Sequence, residues 1–139
     1  MSISKNRIIV SAKIHASIEK VWLYWTSPQH IVKWNFASND WHCPSAENDL
    51  KPSGIFSWRM EAKDGSMGFD YGGQFESIKI MELIEMRLDD DRRVSIEFLE
   101  QNGFAEVTVS FEPDGNDPEL QRQGWQAILS NFKAYVEGS

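Results

Sequence analysis

The sequence predicts an α+β fold, in which a curved antiparallel sheet of six or seven strands closes over a long C-terminal helix. Three observations support this prediction. Segments of alternating apolar and polar residues, separated by hairpin signals, run from residue 54 to residue 112. Two short helical segments follow the first strand, and the final segment carries one apolar stripe. A helix laid across the concave side of a curved sheet is the simplest arrangement that buries both apolar faces.

The chain begins with a strand and two short helices. Residues 7–15 are rich in Ile and Val, and we expect them to form the first strand. Ser17 is predicted to cap a helix whose apolar residues recur at helical spacing. Ser27 is predicted to cap a second helix that starts at Pro28, because the N–H that proline lacks would be unpaired there anyway.

The middle of the chain predicts an irregular stretch followed by a hairpin. Residues 35–52 are expected to be irregular, apart from a short strand at 46–49. Ile55–Ala62 and residues 67–80 read as paired strands, and Asp64-Gly65 between them predicts a two-residue type I′ turn. Gly72-Gly73 predicts a bulge or a sharp bend where the sheet curls.

Three further strands and a helix complete the predicted fold. The strands cover residues 82–88, 92–100 and 104–112, with Asn102-Gly103 as a second hairpin signal. The last helix is expected to start after Asp117 and to end before Gly138. We expect Gly124 to let this helix approach the sheet closely. Its apolar stripe is expected to be core and consists of Trp125, Ile128, Leu129, Phe132 and Val136.

Composition limits the classes of function. With 139 residues, the chain is expected to form a single domain over 1–139. A net charge of −7 argues against a nucleic-acid partner, which draws on clustered Lys and Arg. No apolar run is long enough to span a membrane, and the N-terminus shows no leader pattern, so we expect a cytoplasmic protein. The one cysteine cannot form an intrachain disulfide.

Few residues carry an obvious chemistry. His42-Cys43 have neither CxxC nor HxxxH spacing around them, so neither a metal site nor a cofactor is predicted. No catalytic residue is assigned. Among the charged strand residues, Glu85 shares parity with Leu83 and is expected to point inward, whereas Glu97 and Arg59 are expected to point outward.

The aromatic residues are the best functional lead. A curved sheet and a lone helix leave space between them, and that space is predicted to be an apolar ligand cavity. Trp58 is expected to form a wall of this cavity, while Trp22 and Trp125 are expected to be core. The predicted ligand-binding residues are Trp34, Trp41, Phe56, Trp58, Met60, Phe69, Tyr71 and Phe75.

Ordered motifs along almost the whole chain resemble those of a known family. They are Ala16-Ser17-Ile18-Glu19-Lys20-Val21-Trp22, Trp25-Thr26-Ser27-Pro28, Trp34, Asp49-Leu50-Lys51-Pro52-Ser53-Gly54-Ile55-Phe56, Met60, Asp64-Gly65 and Gln123-Gly124-Trp125-Gln126-Ala127-Ile128-Leu129. The chain resembles the START-like (SRPBCC) superfamily of helix-grip folds. Within it, the chain is similar to homologues of the C-terminal domain of the activator of the heat-shock-protein-ninety ATPase. That co-chaperone has a further N-terminal domain for which this chain has no room, so its chaperone role is not carried over.

Three functions are consistent with this resemblance, because the fold alone does not decide between them. The favoured one is a protein that binds a small hydrophobic molecule in the cavity without covalent chemistry. The first alternative is a cyclase or dehydratase in which a cavity carboxylate or Tyr71 moves a proton. The second is a chaperone-associated interaction protein, which an exposed apolar patch would favour.

Overall fold

A computed structural model describes residues 7–139 and confirms the predicted α+β architecture. Seven strands form one antiparallel, curled sheet in the order β1-β7-β6-β5-β4-β3-β2, and two short helices follow β1. None of the helices in residues 7–139 is both long and apolar enough to cross a bilayer. The elements are β1 (Ile8–Ile14), α1 (Ile18–Thr26), α2 (Pro28–Trp34), β2 (Trp41–Asn48), β3 (Ile55–Ala62), β4 (Gly68–Lys79), β5 (Leu83–Leu88), β6 (Arg93–Gln101), β7 (Phe104–Phe111) and α3 (Pro118–Glu137).

The two short helices begin as predicted, but only one has a side-chain cap. The Ser17 hydroxyl accepts a hydrogen bond from the Lys20 N–H at 3.1 Å, so it caps α1. Ser27 occupies the N-cap position of α2 as expected, but its side chain makes no capping hydrogen bond. Pro28 at the first position of α2 leaves one fewer N–H to satisfy there.

The region before β3 is more regular than expected. β2 runs from Trp41 to Asn48 and pairs with β3, whereas we predicted only a short strand at 46–49. The register shifts between His42 and Ser45, so Cys43 and Pro44 occupy an irregularity. A bulge in an edge strand accommodates a proline. This explains why Cys43-Pro44 does not end β2.

The two hairpin signals have different outcomes. Asn102 and Gly103 both have positive φ, 40° and 89°, as a type I′ turn requires. The β3–β4 connection instead spans residues 63–67, and of its central pair only Gly65 has positive φ, 78°. The predicted hairpin is therefore present, but its two-residue type I′ turn is wrong, because the connection has five residues and Asp64 lacks the positive φ that this turn requires.

The paired glycines of β4 serve close packing and do not form a bulge. Residues 68–74 pair with β3 in unbroken register, and the shift against β5 falls later, at Glu76. A Cβ on Gly72 would lie 2.8 Å from the Phe56 carbonyl oxygen, and one on Gly73 would clash with the Arg87 carbonyl oxygen. The predicted bulge position is therefore wrong, and glycine is needed because neighbouring backbones leave no room for a side chain.

The core lies between the inner face of the sheet and the three helices. Alternate residues of β7 are buried as predicted, from Ala105 to Phe111. The rings of Trp25 and Trp34 are tilted against each other, with centroids 4.7 Å apart, and both pack edge-on against Phe132 of α3. Trp22 is 8% exposed, so its prediction as core is confirmed.

The long helix α3 packs most closely on the edge strand β1. Three of its side chains donate hydrogen bonds to backbone carbonyl oxygens of that strand, which has β7 on its other side. These bonds satisfy polar groups at an edge that would otherwise be free to pair with another chain. They are Arg122 to Ile9 at 3.0 Å, Gln126 to Ser11 at 3.3 Å and Lys133 to Lys13 at 2.6 Å.

The predicted apolar stripe of α3 divides into two parts. Leu129, Phe132 and Val136 are fully buried, as expected. Trp125 and Ile128 are only partly buried, so their prediction as core is wrong. The expected close approach at Gly124 is also wrong, since a Cβ there would meet no described heavy atom within 4 Å apart from its chain neighbours and the backbone of its own helix. The N-terminal half of α3 contacts β1 through Arg122 and Gln126 but stands away from β3 and β4.

Candidate functional site

A cavity lies where the first half of α3 stands away from β3 and β4. Its volume is about 90 Å³, and it has a mainly apolar lining. An adjoining groove of about 260 Å³ shares three of the lining residues and passes Gly124 toward the surface. The cavity is lined by Asn35, Met60, Phe69, Tyr71, Trp125 and Ile128.

Tyr71 lines this cavity, and its hydroxyl is buried. Within residues 7–139 it is the one buried side-chain oxygen or nitrogen without a hydrogen-bond partner. Burial raises the pKa of Tyr71 well above its ordinary value of 10.0, so the hydroxyl stays protonated. A buried hydroxyl without a partner destabilises the fold, and such groups in native proteins call for an explanation.

The ring of Tyr71 is held between other aromatic rings. Its centroid lies 5.7 Å from that of Trp58, 6.0 Å from that of Phe56 and 6.2 Å from that of Trp125. Trp58 is also its direct partner across the β3–β4 ladder. Because packing and the strand backbone both fix this ring, the hydroxyl cannot turn out to solvent without disrupting the core.

Asn35 is the second polar group of the cavity. It follows α2, is 4% exposed, and its backbone N–H donates to the Ile31 carbonyl at 3.0 Å. Its side-chain Nδ2 has two sulfur acceptors, Met60 Sδ at 3.2 Å and Cys43 Sγ at 3.8 Å. Thioethers and thiols accept hydrogen bonds weakly, so the amide has hydrogen-bonding capacity to spare. We did not single out Asn35 from the sequence, since nothing distinguishes it there from an exposed loop residue.

The eight aromatic and sulfur residues predicted to bind a ligand fall into three groups. Met60, Phe69 and Tyr71 line the cavity. Trp41 is partly buried beside Phe69, with ring centroids 5.9 Å apart, at the edge of the site. The other four are at most 2% exposed and belong to the core: Trp34, Phe56, Trp58 and Phe75.

The expected positions of Trp58 and Trp125 are reversed in the structure: Trp58, predicted to be a cavity wall, lies in the core, and Trp125, predicted to be core, lines the cavity. Trp58 is 2% exposed, and its Nε1–H donates to Asn48 Oδ1 at 2.8 Å, which satisfies its one polar atom. Trp125 lines both the cavity and the groove. The signal for Trp125 was Gly124 beside it, because a small residue there opens the surface of the helix next to the indole.

Charged groups lie at the mouth of the groove, and none is among the residues described as lining the inner cavity. Arg92 and Asp114 line the groove. The Arg92 guanidinium is paired with Asp90, Nε to Oδ2, at 2.7 Å, so its charge is largely neutralised. The described lining of the inner cavity is therefore uncharged and mainly apolar.

The remaining chemical candidates lie away from the cavity. Glu85 lies on the outer face, because its neighbours Ile84 and Met86 are the buried residues of β5, so the expected inward direction is wrong. Arg59 points outward as expected and pairs with Glu61 at 2.9 Å. Across the described part of the chain, no three His, Cys, Asp or Glu side chains converge as a metal site would require.

A larger depression of the surface is a different feature. It has a volume of about 630 Å³ and lies between the β4–β5 turn, the end of β6 and α1. Ile80 and Leu99 in its lining are 70% and 51% exposed, so it is an open groove in contact with solvent. It does not enclose a ligand.

Comparison with known proteins agrees with the fold described above. The model of the family described as activator of Hsp90 ATPase homolog 1-like protein matches residues 15–137. A comparison with curated proteins gave no match. A crystal structure from Chromobacterium violaceum, 23% identical over 95% of this chain and 98% of its own, has a TM-score of 0.82 and shares the fold.

Two solution structures are nearer in sequence. One is an AHSA1-like protein from Aeromonas hydrophila, with 40% identity over 96% of this chain and 93% of that chain, at a TM-score of 0.90. The other comes from Cytophaga hutchinsonii, with 48% identity over 95% and 92% of the two chains, at a TM-score of 0.83. The chain belongs to the family of activator of Hsp90 ATPase homolog 1-like proteins, within the START-like superfamily.

Proposed function

We propose that this protein binds a small hydrophobic molecule in the cavity between β3, β4 and α3. The curved sheet closed by a helix is a ligand-binding type of scaffold. The observation that carries the proposal is the cavity itself, in which the apolar side chains of Met60, Phe69, Trp125 and Ile128 predominate over Asn35 and Tyr71. Ligand sites commonly combine apolar walls with a few placed polar groups.

The same geometry supports binding more than acid–base catalysis. A general acid or base has to exchange a proton near neutral pH. Burial raises the pKa of Tyr71, so its hydroxyl does not give up the proton near neutral pH. None of the residues described as lining the inner cavity is a carboxylate. A chaperone-associated role stays a prediction from the resemblance alone.

The test is a titration followed at the tryptophan indoles by ¹H–¹⁵N NMR. The probes are 1-naphthol, flavone and decanol. We expect the Trp125 indole cross-peak to shift while that of buried Trp22 stays in place. The expected Kd is on the order of micromolar, because an apolar pocket gains desolvation but offers few polar contacts.

A matched pair of variants checks the location. Ile128→Trp fills the cavity and should weaken binding at least about tenfold. Leu120→Trp makes a similar change on the same helix at a side chain that is 65% exposed, and should leave the affinity unchanged. The proposal is wrong if no probe shifts the Trp125 signal below millimolar concentration, or if both variants bind like the parent.

A further inference from the structure

The β6 groove, lined by residues 79–83, residues 97–100 and Ile18, is the open depression of about 630 Å³ between the β4–β5 turn, the end of β6 and α1. Its described lining shares no residue with the ligand cavity or with the space that adjoins the cavity. Ile80 and Leu99 in the β6 groove are 70% and 51% exposed. Exposed apolar side chains that are grouped in one concave surface indicate an interaction site, whereas single scattered ones do not.

The β6 groove forms because β6 continues past the end of β5. The register between these two strands ends at Leu83, which lies opposite Glu97. On its other side, β6 stays paired with β7 as far as Gln101. The last residues of β6 therefore have a neighbouring strand on one side only, among the described residues.

The backbone of Glu100 forms a free strand edge in this groove. The Phe98 N–H donates to the Glu82 carbonyl oxygen at 2.9 Å, so the backbone polar groups of Phe98 point toward the β5 side. Alternate residues of an antiparallel strand point these groups to the same side. The N–H and C=O of Glu100 therefore point to the side where β5 has ended, and no described strand pairs with them there. Such an edge can pair with an extended segment of another chain.

The charges of the β6 groove indicate which kind of segment it accepts. Its described lining carries the carboxylates of Glu82, Glu97 and Glu100 and one cation, Lys79. Within residues 7–139, none of these three carboxylates is in an ion pair. The chain as a whole has a net charge of −7, which attracts cationic partners and repels acidic ones.

We propose that the β6 groove binds a short extended segment of a partner protein that carries both aliphatic and Lys or Arg side chains. The segment pairs its backbone with Glu100 as a strand beside the end of β6. Its aliphatic side chains cover Ile80 and Leu99, and its cations lie beside the three glutamates. An open groove favours a peptide over a small molecule, because main-chain hydrogen bonds supply affinity that a half-exposed compact ligand lacks. This interaction is independent of ligand binding in the cavity.

The experiment titrates synthetic peptides against the ¹⁵N-labelled full chain at low salt. The first probe is acetyl-KVKVKVK-amide, and the second is its acidic counterpart, acetyl-EVEVEVE-amide. We expect the basic peptide to shift the amide signals of Leu99 and Glu100 and to leave the Trp125 indole signal in place. Its Kd should be on the order of 100 micromolar, because the contact is smaller than a standard interface. The acidic peptide should bind at least about tenfold more weakly.

Two modified peptides test the strand pairing. They are the basic peptide N-methylated at all of its valines and the basic peptide N-methylated at all of its lysines. Because alternate residues of a strand point their N–H groups to opposite edges, only one of these sets can face β6. We expect one of the two modified peptides to lose at least about tenfold in affinity.

Glu97→Lys and Glu47→Lys are matched variants, because each reverses one exposed carboxylate and changes the net charge equally. Glu97 lines the β6 groove, whereas Glu47 lies on the edge strand β2. We expect Glu97→Lys to weaken binding of the basic peptide about fivefold or more, and Glu47→Lys to change it by about twofold or less.

Four results would each overturn the proposal: equal binding of the acidic peptide, equal effects of the two variants, full affinity of both methylated peptides, or no shift of the Glu100 signal below millimolar peptide. None of them bears on the cavity, which the Trp125 indole reports separately.

Discussion

Replacing Tyr71 by phenylalanine should make the ligand-free protein more stable. The hydroxyl is buried, and in residues 7–139 it finds no hydrogen-bond partner, so the folded state loses its hydration without compensation. Protein mutational data put the cost of such a group at roughly 1–3 kcal/mol. The phenyl ring keeps the contacts with Phe56, Trp58 and Trp125. We therefore expect the free energy of unfolding to rise by about 1–3 kcal/mol.

The assay is urea unfolding at neutral pH, with thermal unfolding beside it. For a chain of this length, each kcal/mol should raise Tm by about 3–5 °C. Tyr135→Phe is the control of opposite sign. The Tyr135 hydroxyl lies 2.7 Å from His30 Nδ1, so removing it should lower the free energy of unfolding by about 1 kcal/mol.

The direction of the change in unfolding free energy on Tyr71→Phe shows whether the hydroxyl is unpaired in the folded protein. If Tyr71→Phe lowers the stability as Tyr135→Phe does, then the Tyr71 hydroxyl has a partner in the free protein, such as an ordered water. A gain in stability would show that the hydroxyl is buried in the folded protein without a partner.

Three further predictions concern stability. Gly124→Ala should raise the free energy of unfolding by about 1 kcal/mol in urea melts, because alanine favours helix and has room there, whereas Gly73→Ala should lower it sharply. Trp58→Ala should cost about 3–5 kcal/mol and Trp125→Ala on the order of 1–2 kcal/mol, so equal losses would contradict their placement. Because burial raises the pKa of Tyr71 above that of the unfolded chain, the parent should lose stability as pH rises above 10, and Tyr71→Phe should lose less over the same range.

The order and type of the elements could be predicted from local signals. Alternation identified the buried faces of β3 and β7, and Asp117-Pro118 marked the start of α3. Asn102-Gly103 predicted a turn correctly, since positive φ at both positions is a property of these residues themselves. Such signals are carried by near neighbours in the chain and do not depend on what packs against them.

The candidate site depended on the distances between elements. The sequence marked Met60, Phe69 and Tyr71 among eight candidates, because they share strand parity with true core residues. Parity states which face a side chain occupies. It does not state whether a helix covers that face closely, so four of the eight lie in the core and away from the cavity.

The sequence by itself determined that this chain folds as a curved antiparallel sheet of six or seven strands with a long C-terminal helix, and it determined the family to which the chain belongs. Tertiary structure decided which tryptophan is core and which lines the cavity. α3 packs on β1 and stands away from β4, so Trp125 borders open space while Trp58 is enclosed. This position of α3 results from many contacts between distant parts of the chain, so it cannot be predicted from any single segment of the sequence.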